Sequence, residues 1–350
     1  MSPFEHRKYS SSQIRRAGNL LKNIANLSPG ESEEAFDILV NFRALHYAPL
    51  NTFQATLRDR LKKISKEAIV AQRIKRLPTI LDKLQRYPGM QLDRMQDIGG
   101  IRAIVSNMSE LNKLRGIYLE AKRFPHVLVE NKDYISHPKP SGYRGYHLVY
   151  KYHNKRPSMQ EYEGLRIEMQ MRTRLQHIWA TAVETFEAFE GEKFKSSQGD
   201  NSFLEFFKYV SSAFAIHEKQ PILEEHSRFT RKEIDSIIEQ YVKDLAILEK
   251  IKAFSLITHS ISTNNNFRTG YGVLILDTQD KSVSFRPYFS TQIKEALDSY
   301  YREETRSLKE PSRQVVLVKT DSIQKLRKAY PNYFADLAEF RNHLEKLQAT

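Results

Sequence analysis

The 350-residue chain contains no cysteine, which excludes a disulfide, a thiolate metal site and a cysteine nucleophile. No apolar run approaches the roughly 20 residues needed to cross a bilayer, and the opening MSPFEHRKYSSSQIRR lacks the apolar core of a secretory signal. The expectation is a soluble, cytoplasmic protein with no membrane partner. No hydrolytic triad, zinc-ligand spacing, internal repeat or long low-complexity tract stands out. Acidic residues are in deficit, 42 against 55 lysines and arginines, and the formal charge of +13 favours a polyanionic partner.

The length predicts about two domains. Residues 10–27 read as a helix ended by SPG at 28–30, a second helix starts near Ser32 and stops before Pro49, and a basic third one starts near Asn51. Beyond residue 90 the pattern changes to short strand-like runs at 101–105, 126–130, 147–152 and 165–171, with an amphipathic helix at 109–123 and another from Thr173 to about Glu190. This is an α+β fold in which a mixed sheet is flanked by helices. The polar stretch at 195–202 marks a joint. A charged helix at 231–254, a hairpin of strands 271–277 and 282–288, a helix at 290–306 and a strand at 313–319 form a smaller α+β module. The expected division is 1–195, a helical connector at 196–257, and 258–350.

Chemistry concentrates in KDYISHPKPSGYRGYH at 132–147. Pro138 and Pro140 exclude a helix, and Gly142 and Gly145 permit unusual dihedrals and close approach. Lys132, Lys139 and Arg144 can neutralise phosphate, and Tyr143 can offer a ring face to a base; the plainer reading is a basic surface loop with a buried tyrosine. In LRIEMQMRT a strand places Arg166, Glu168, Gln170 and Arg172 on one polar face. Asp97, just ahead of a strand bearing Arg102, forms with Glu168 a candidate magnesium pair for bridging triphosphate oxygens. Arg73 and Lys75 add cations in an extended segment. His177 and Glu184 share a helix face, where a structural role is the commoner outcome.

Taken in order, RIKR at 73–76, DIGGIRAIV at 97–105, the 132–147 loop, EMQMRT at 168–173 and QHIWATAVE at 176–184 resemble the synthetase domain of the RelA/SpoT family over roughly residues 40–195. The resemblance implies a nucleotidyltransferase-like mixed sheet that moves the β,γ-pyrophosphate of ATP onto a ribose 3′-hydroxyl and releases AMP. It assigns Arg73 and Arg102 to the donor adenine and phosphates, Lys75 to the phosphates, and Asp97 with Glu168 to magnesium. Glu168 is also the candidate base, Tyr143 the stacking residue, and Lys132, Lys139 and His147 line phosphates and acceptor, supported by Gln170 and Arg172. Ser141 stands where many members carry asparagine, a departure that bears on guanine recognition.

The layout further resembles fused toxic small alarmone synthetases of the CapRel type, in which an antitoxin region follows the enzyme. The residues carrying this likeness are Tyr330 and Tyr333 in KAYPNYF, within a module akin to a zinc finger without its metal. By that likeness the tyrosines cover the ATP site until a phage major capsid protein binds, and the enzyme, a monomer, then pyrophosphorylates the 3′-CCA end of tRNA in antiphage defence. Arg58, Arg60, Lys62, Lys63 and Lys66, with Arg15, Arg16, Lys122 and Arg123, are candidate contacts to acceptor-stem phosphates. Alternative readings are synthesis of guanosine or adenosine alarmones from free nucleotides, and a silent RNA-binding sensor that kept the fold.

Overall fold

The structure is a computed structural model and describes residues 4–120, 124–190, 202–256, 270–280, 282–289, 291–310, 312–320 and 337–347. Helix α1 (Ser11–Leu21) opens on a capping box between Ser10 and Gln13 and ends before a 3-10 turn at Ile24–Asn26. The SPG stretch starts the next helix instead of closing this one. Ser28 caps α2 (Pro29–Leu45) through a second box with Glu31, and Pro29 occupies the first turn, where no N–H is needed. Pro49 likewise falls in the first turn of α3 (Tyr47–Leu61), so that helix begins before Asn51.

Five strands form the main sheet: β1 (Ile69–Ile74), β2 (Gly99–Val105), β3 (Val127–Asp133), β4 (Tyr146–Lys151) and β5 (Arg166–Thr173). Their order is β1-β2-β5-β4-β3, with only the β2–β5 pair parallel among these neighbours. The mixed sheet expected from the strand pattern is therefore present. Helix α4 (Leu77–Arg86), absent from the sequence reading, follows β1; α5 (Met108–Leu119) links β2 to β3, and α6 (Arg174–Glu190) continues from β5. Ile101, Ala103, Leu148, Tyr150, Ile167, Met169 and Met171 join Phe53, Leu57, Leu111 and Leu114 in one buried core. Removing this apolar surface from water is the main force holding the sheet to its helices.

Helices α7 (Ser202–His217), α8 (Arg231–Asp244) and α9 (Ile247–Leu256) follow, then α11 (Ala338–Leu347) near the end of the chain. The expected helix at 231–254 is split at Ala246, whose φ of 49° breaks the α conformation. Trp179 and Phe186 of α6 pack with Phe206, Phe207 and Phe340 in a second core, so the segment read as a connector lies against α6. Strands β6 (Gly270–Asp277), β7 (Ser282–Phe289) and β8 (Arg313–Thr320) make an antiparallel sheet of order β7-β6-β8, with α10 (Ile293–Ser307) between β7 and β8. Ile69 and Ala71 of β1 pack against Leu274, Val316 and Val318 of this second sheet. No helix among the described residues is long and apolar enough to cross a membrane.

Candidate active site

Strand register assembles the site. Directly opposed residues share a sheet face, so Ala71, Arg102, Gln170, His147 and Lys132 form one rung across all five strands. Arg73, Gly100, Glu168, Val149 and Glu130 form the next rung. Gly100 leaves room between Arg73 and Glu168: an added Cβ there meets only the Arg73 carbonyl, at 3.8 Å. Arg73, Lys75, Asp97, Arg102, Glu168 and Gln170 accordingly line one cleft.

At one end of the cleft the Asp97 carboxylate is held by Lys75 Nζ at 2.9 Å and Lys83 Nζ at 3.0 Å. Burial pushes the Asp97 carboxyl up, but the two ammonium groups outweigh it and hold it below the ordinary carboxylate range. Burial pulls the Lys75 amine down against the raising effect of Asp97. Lys83 was missed in the sequence because α4 was missed; eight residues beyond Lys75, it needs that helix to come back to the same carboxylate.

At the other end, five side chains close a ring of hydrogen bonds. Arg172 donates from Nε at 3.1 Å and Nη2 at 2.8 Å to the Tyr143 hydroxyl, and from Nη2 at 3.2 Å to Gln170 Oε1. Gln170 Nε2 donates to Glu168 Oε2 at 2.9 Å. His147 Nδ1 lies 2.8 Å from Glu168 Oε1, and its Nε2 meets the Tyr143 hydroxyl. Arginine can only donate and an ionised carboxylate can only accept, which sets the polarity: Tyr143 donates to Nε2, and Nδ1–H of a neutral His147 donates to Glu168. Burial lowers the His147 pKa, consistent with that neutral form. For Glu168 burial acts upward, but His147, Gln170 and Arg73 prevail and hold it at about 2.

The 132–147 loop is seated from below. Gly142 has φ +88°, and a Cβ there would lie 2.9 Å from Ser211 Cβ and 3.2 Å from Trp179 Cζ2. Ser211 Oγ donates to the Gly142 carbonyl at 2.6 Å and accepts from Arg144 Nε at 3.1 Å. Arg144, 4% exposed, is therefore a strut beneath the loop and not the phosphate-neutralising residue expected. Lys139 Nζ sits over the rings of Tyr134 and Tyr143, 4.5 and 5.0 Å from their centroids, and Lys132 pairs with Glu130 at 3.0 Å. Ser211 carries no sequence signal for this role, since it lies on α7, 69 residues away.

The residues singled out for RNA contact sit elsewhere: Arg58 and Arg60 in the last turn of α3, Lys62, Lys63 and Lys66 beyond its end rather than on it, and Arg15 and Arg16 on α1, where Arg15 pairs with Asp93 at 2.8 Å. Lys62, Lys63 and Lys66 are exposed and Arg58 is half-buried. Arg60 instead lies over Tyr118 at 4.1 Å and Phe124 at 4.6 Å, which makes it a packing residue. His177 is buried in α6, with 1% exposure. Tyr330, Tyr333, Lys122 and Arg123 lie outside the described residues.

A face of cations around two ionised carboxylates has the charge pattern that suits a phosphate-rich ligand. Residues 72–188, which contain it, match the family described as "Region found in RelA / SpoT proteins". GTP pyrophosphokinase YjbM of Bacillus subtilis is 33% identical over 114 residues, 32% of this chain and 52% of that protein. GTP pyrophosphokinase YwaC of the same organism is 31% identical over 115 residues, 31% of this chain and 52% of that protein. The chain thus spans about half the length of these curated relatives. The crystal structure of small alarmone synthetase 1 from Bacillus subtilis aligns at 25% identity with a TM-score of 0.39, covering 49% of this chain and 90% of that one.

Proposed function

We propose that the chain is a pyrophosphokinase that transfers the β,γ-pyrophosphate of ATP to a ribose 3′-hydroxyl. The observation carrying this reading is the grouping of Arg73, Lys75, Arg102, Asp97 and Glu168 around one cleft inside the RelA/SpoT region. The acceptor oxygen bonds to the β-phosphorus as the bond from that phosphorus to the α-phosphate oxygen breaks, and AMP leaves. The hydroxyl proton passes to Glu168, which is ionised at neutral pH. A carboxyl held at about 2 is a weak base, so its main work is to orient the hydroxyl and take the proton as the new bond forms. Arg73, Lys75 and Arg102 neutralise the migrating phosphates; positioning and charge supply most of such catalysis.

Asp97 and Glu168 would hold a magnesium ion, because that ion characteristically takes one or two carboxylates and completes its shell with water and phosphate. When bound it supplies charge neutralisation at the triphosphate.

The proposed acceptor is the 3′ end of tRNA, supported by the +13 charge and the exposed Lys62, Lys63 and Lys66. The proposed regulation is that of a CapRel-type fusion: Tyr330 and Tyr333 restrain the enzyme until a phage capsid protein relieves them. A second acceptor, a free guanine nucleotide, is favoured by the names of the relatives. Full-length protein incubated with γ-labelled ATP and either tRNA or GDP and GTP separates these readings. Label on tRNA, rising when both Tyr330 and Tyr333 are changed to alanine, is the expected result. Label on the nucleotide alone overturns the tRNA reading, and failure of both the wild type and this variant to form AMP with any acceptor overturns the pyrophosphokinase reading.

A further inference from the structure

Beneath the donor end of the cleft lies a buried charged cluster that joins the two ends of the chain. Arg43 of α2 and Glu304 of α10 have side-chain exposures of 0% and 1% and form an ion pair at 2.9 Å. Arg43 Nε and Nη2 donate to the Lys75 carbonyl at 3.1 and 2.8 Å, and Nη2 also reaches Tyr300 and Glu304. Glu304 Oε1 accepts the Leu77 N–H at 2.7 Å and the Tyr300 hydroxyl at 2.7 Å. The Lys75 N–H donates to the Ile98 carbonyl at 2.8 Å, beside Asp97. The backbone from Lys75 to Leu77 is thus gripped on one side by Arg43 and Glu304 and on the other by the strand that presents Asp97.

A buried ion pair is a poor device for stability alone, because the desolvation cost is often as large as the attraction. This one directs its hydrogen bonds to the two backbone groups flanking Arg76, where β1 passes into α4. That link carries Lys75 and α4 carries Lys83, the two residues that hold Asp97. We propose that Arg43 and Glu304 are positioning residues for the phosphate-binding Lys75, so that the C-terminal module is a working part of the donor site. This rests on the pyrophosphokinase reading for its catalytic consequence but not for its structural one.

The test is the double variant Arg43→Met with Glu304→Leu, since replacing both partners by apolar residues of similar size is commonly neutral for folding. The first readout is the rate of Lys75 acetylation, followed by peptide mass spectrometry, with the exposed Lys151 as internal control. In the folded variant Lys75 is expected to react about tenfold faster and Lys151 unchanged, as the 75–77 segment opens locally. The KM for ATP is expected to rise about tenfold while the KM for the acceptor stays put. Where the double variant fails to fold, Glu304→Gln serves, because its amide leaves Arg43 without a charged partner. Wild-type Lys75 reactivity in a folded variant overturns the proposal whatever the activity. If the wild type releases no AMP, the functional reading falls while the Lys75 rates still decide this one.

Discussion

Changing Tyr143 to phenylalanine keeps a ring for base stacking and removes only the hydroxyl, so it separates two roles for this residue. The hydroxyl accepts two N–H groups from Arg172 and donates to His147 Nε2. Arg172 is 3% exposed, and its Nη1 already lacks a hydrogen-bond partner among the described residues. Without the hydroxyl, Nε loses its acceptor as well, and the guanidinium keeps only the bond from Nη2 to Gln170. Orphaning a buried charged donor costs about 2 to 3 kcal/mol. A melting temperature lower by on the order of 5 °C is the expected consequence. His147 loses the donor that fixes its tautomer, so Glu168 is oriented less well and kcat is expected to fall about tenfold. The acceptor KM should hold, because the ring remains. Thermal melts and initial rates of AMP release, measured on one preparation, check both numbers. A Tyr143→Phe protein with wild-type melting and wild-type kcat would refute the ring as a functional unit and leave stacking as the residue's whole role.

Two further outcomes follow from the same geometry. The Glu168 carboxyl is held at about 2 against an ordinary value near 4.5, and its side chain is 15% exposed. A carboxyl held lower in the folded state than in the unfolded one stabilises the fold wherever it is ionised. Because the folded value is the lower one, that contribution is complete above the unfolded value and is lost as pH falls through the folded one. Denaturant melts between pH 6 and pH 3 should show wild type losing more stability than Glu168→Gln; parallel losses would contradict the assignment. At the end of α3, Arg60→Ala should cost about 1 kcal/mol of stability through lost ring contacts. It should leave the salt dependence of tRNA binding unchanged, whereas Lys63→Glu with Lys66→Glu should shift that dependence by about 2 in slope. Equal effects of the two changes on tRNA affinity would place Arg60 back among the contacts.

Much of the site was legible in the chain because strand alternation is local. The polar set Arg166, Glu168, Gln170 and Arg172 follows from a period of two, and the structure puts Glu168 and Gln170 on the rungs that face the cleft. The cations and carboxylates of the donor end were equally visible as residue types. Helix starts were harder: Ser28–Pro29 and Pro49 carry the same letters whether they end one helix or begin another, and packing of the following turn decides between them.

What sequence determined by itself was the inventory: a cysteine-free, strongly basic chain with alternating strands, a glycine- and proline-shaped loop, and two acids among many cations. Tertiary structure alone decided the partnerships. The pairing of β4 with β5 brings His147 to Glu168, the return of α4 brings Lys83 to Asp97, and α7 brings Ser211 beneath Gly142. Above all, docking of α10 carries Glu304 onto Arg43 across 261 residues of chain. Such contacts follow from how separate elements bury one another's apolar faces, and no local pattern in the letters records them.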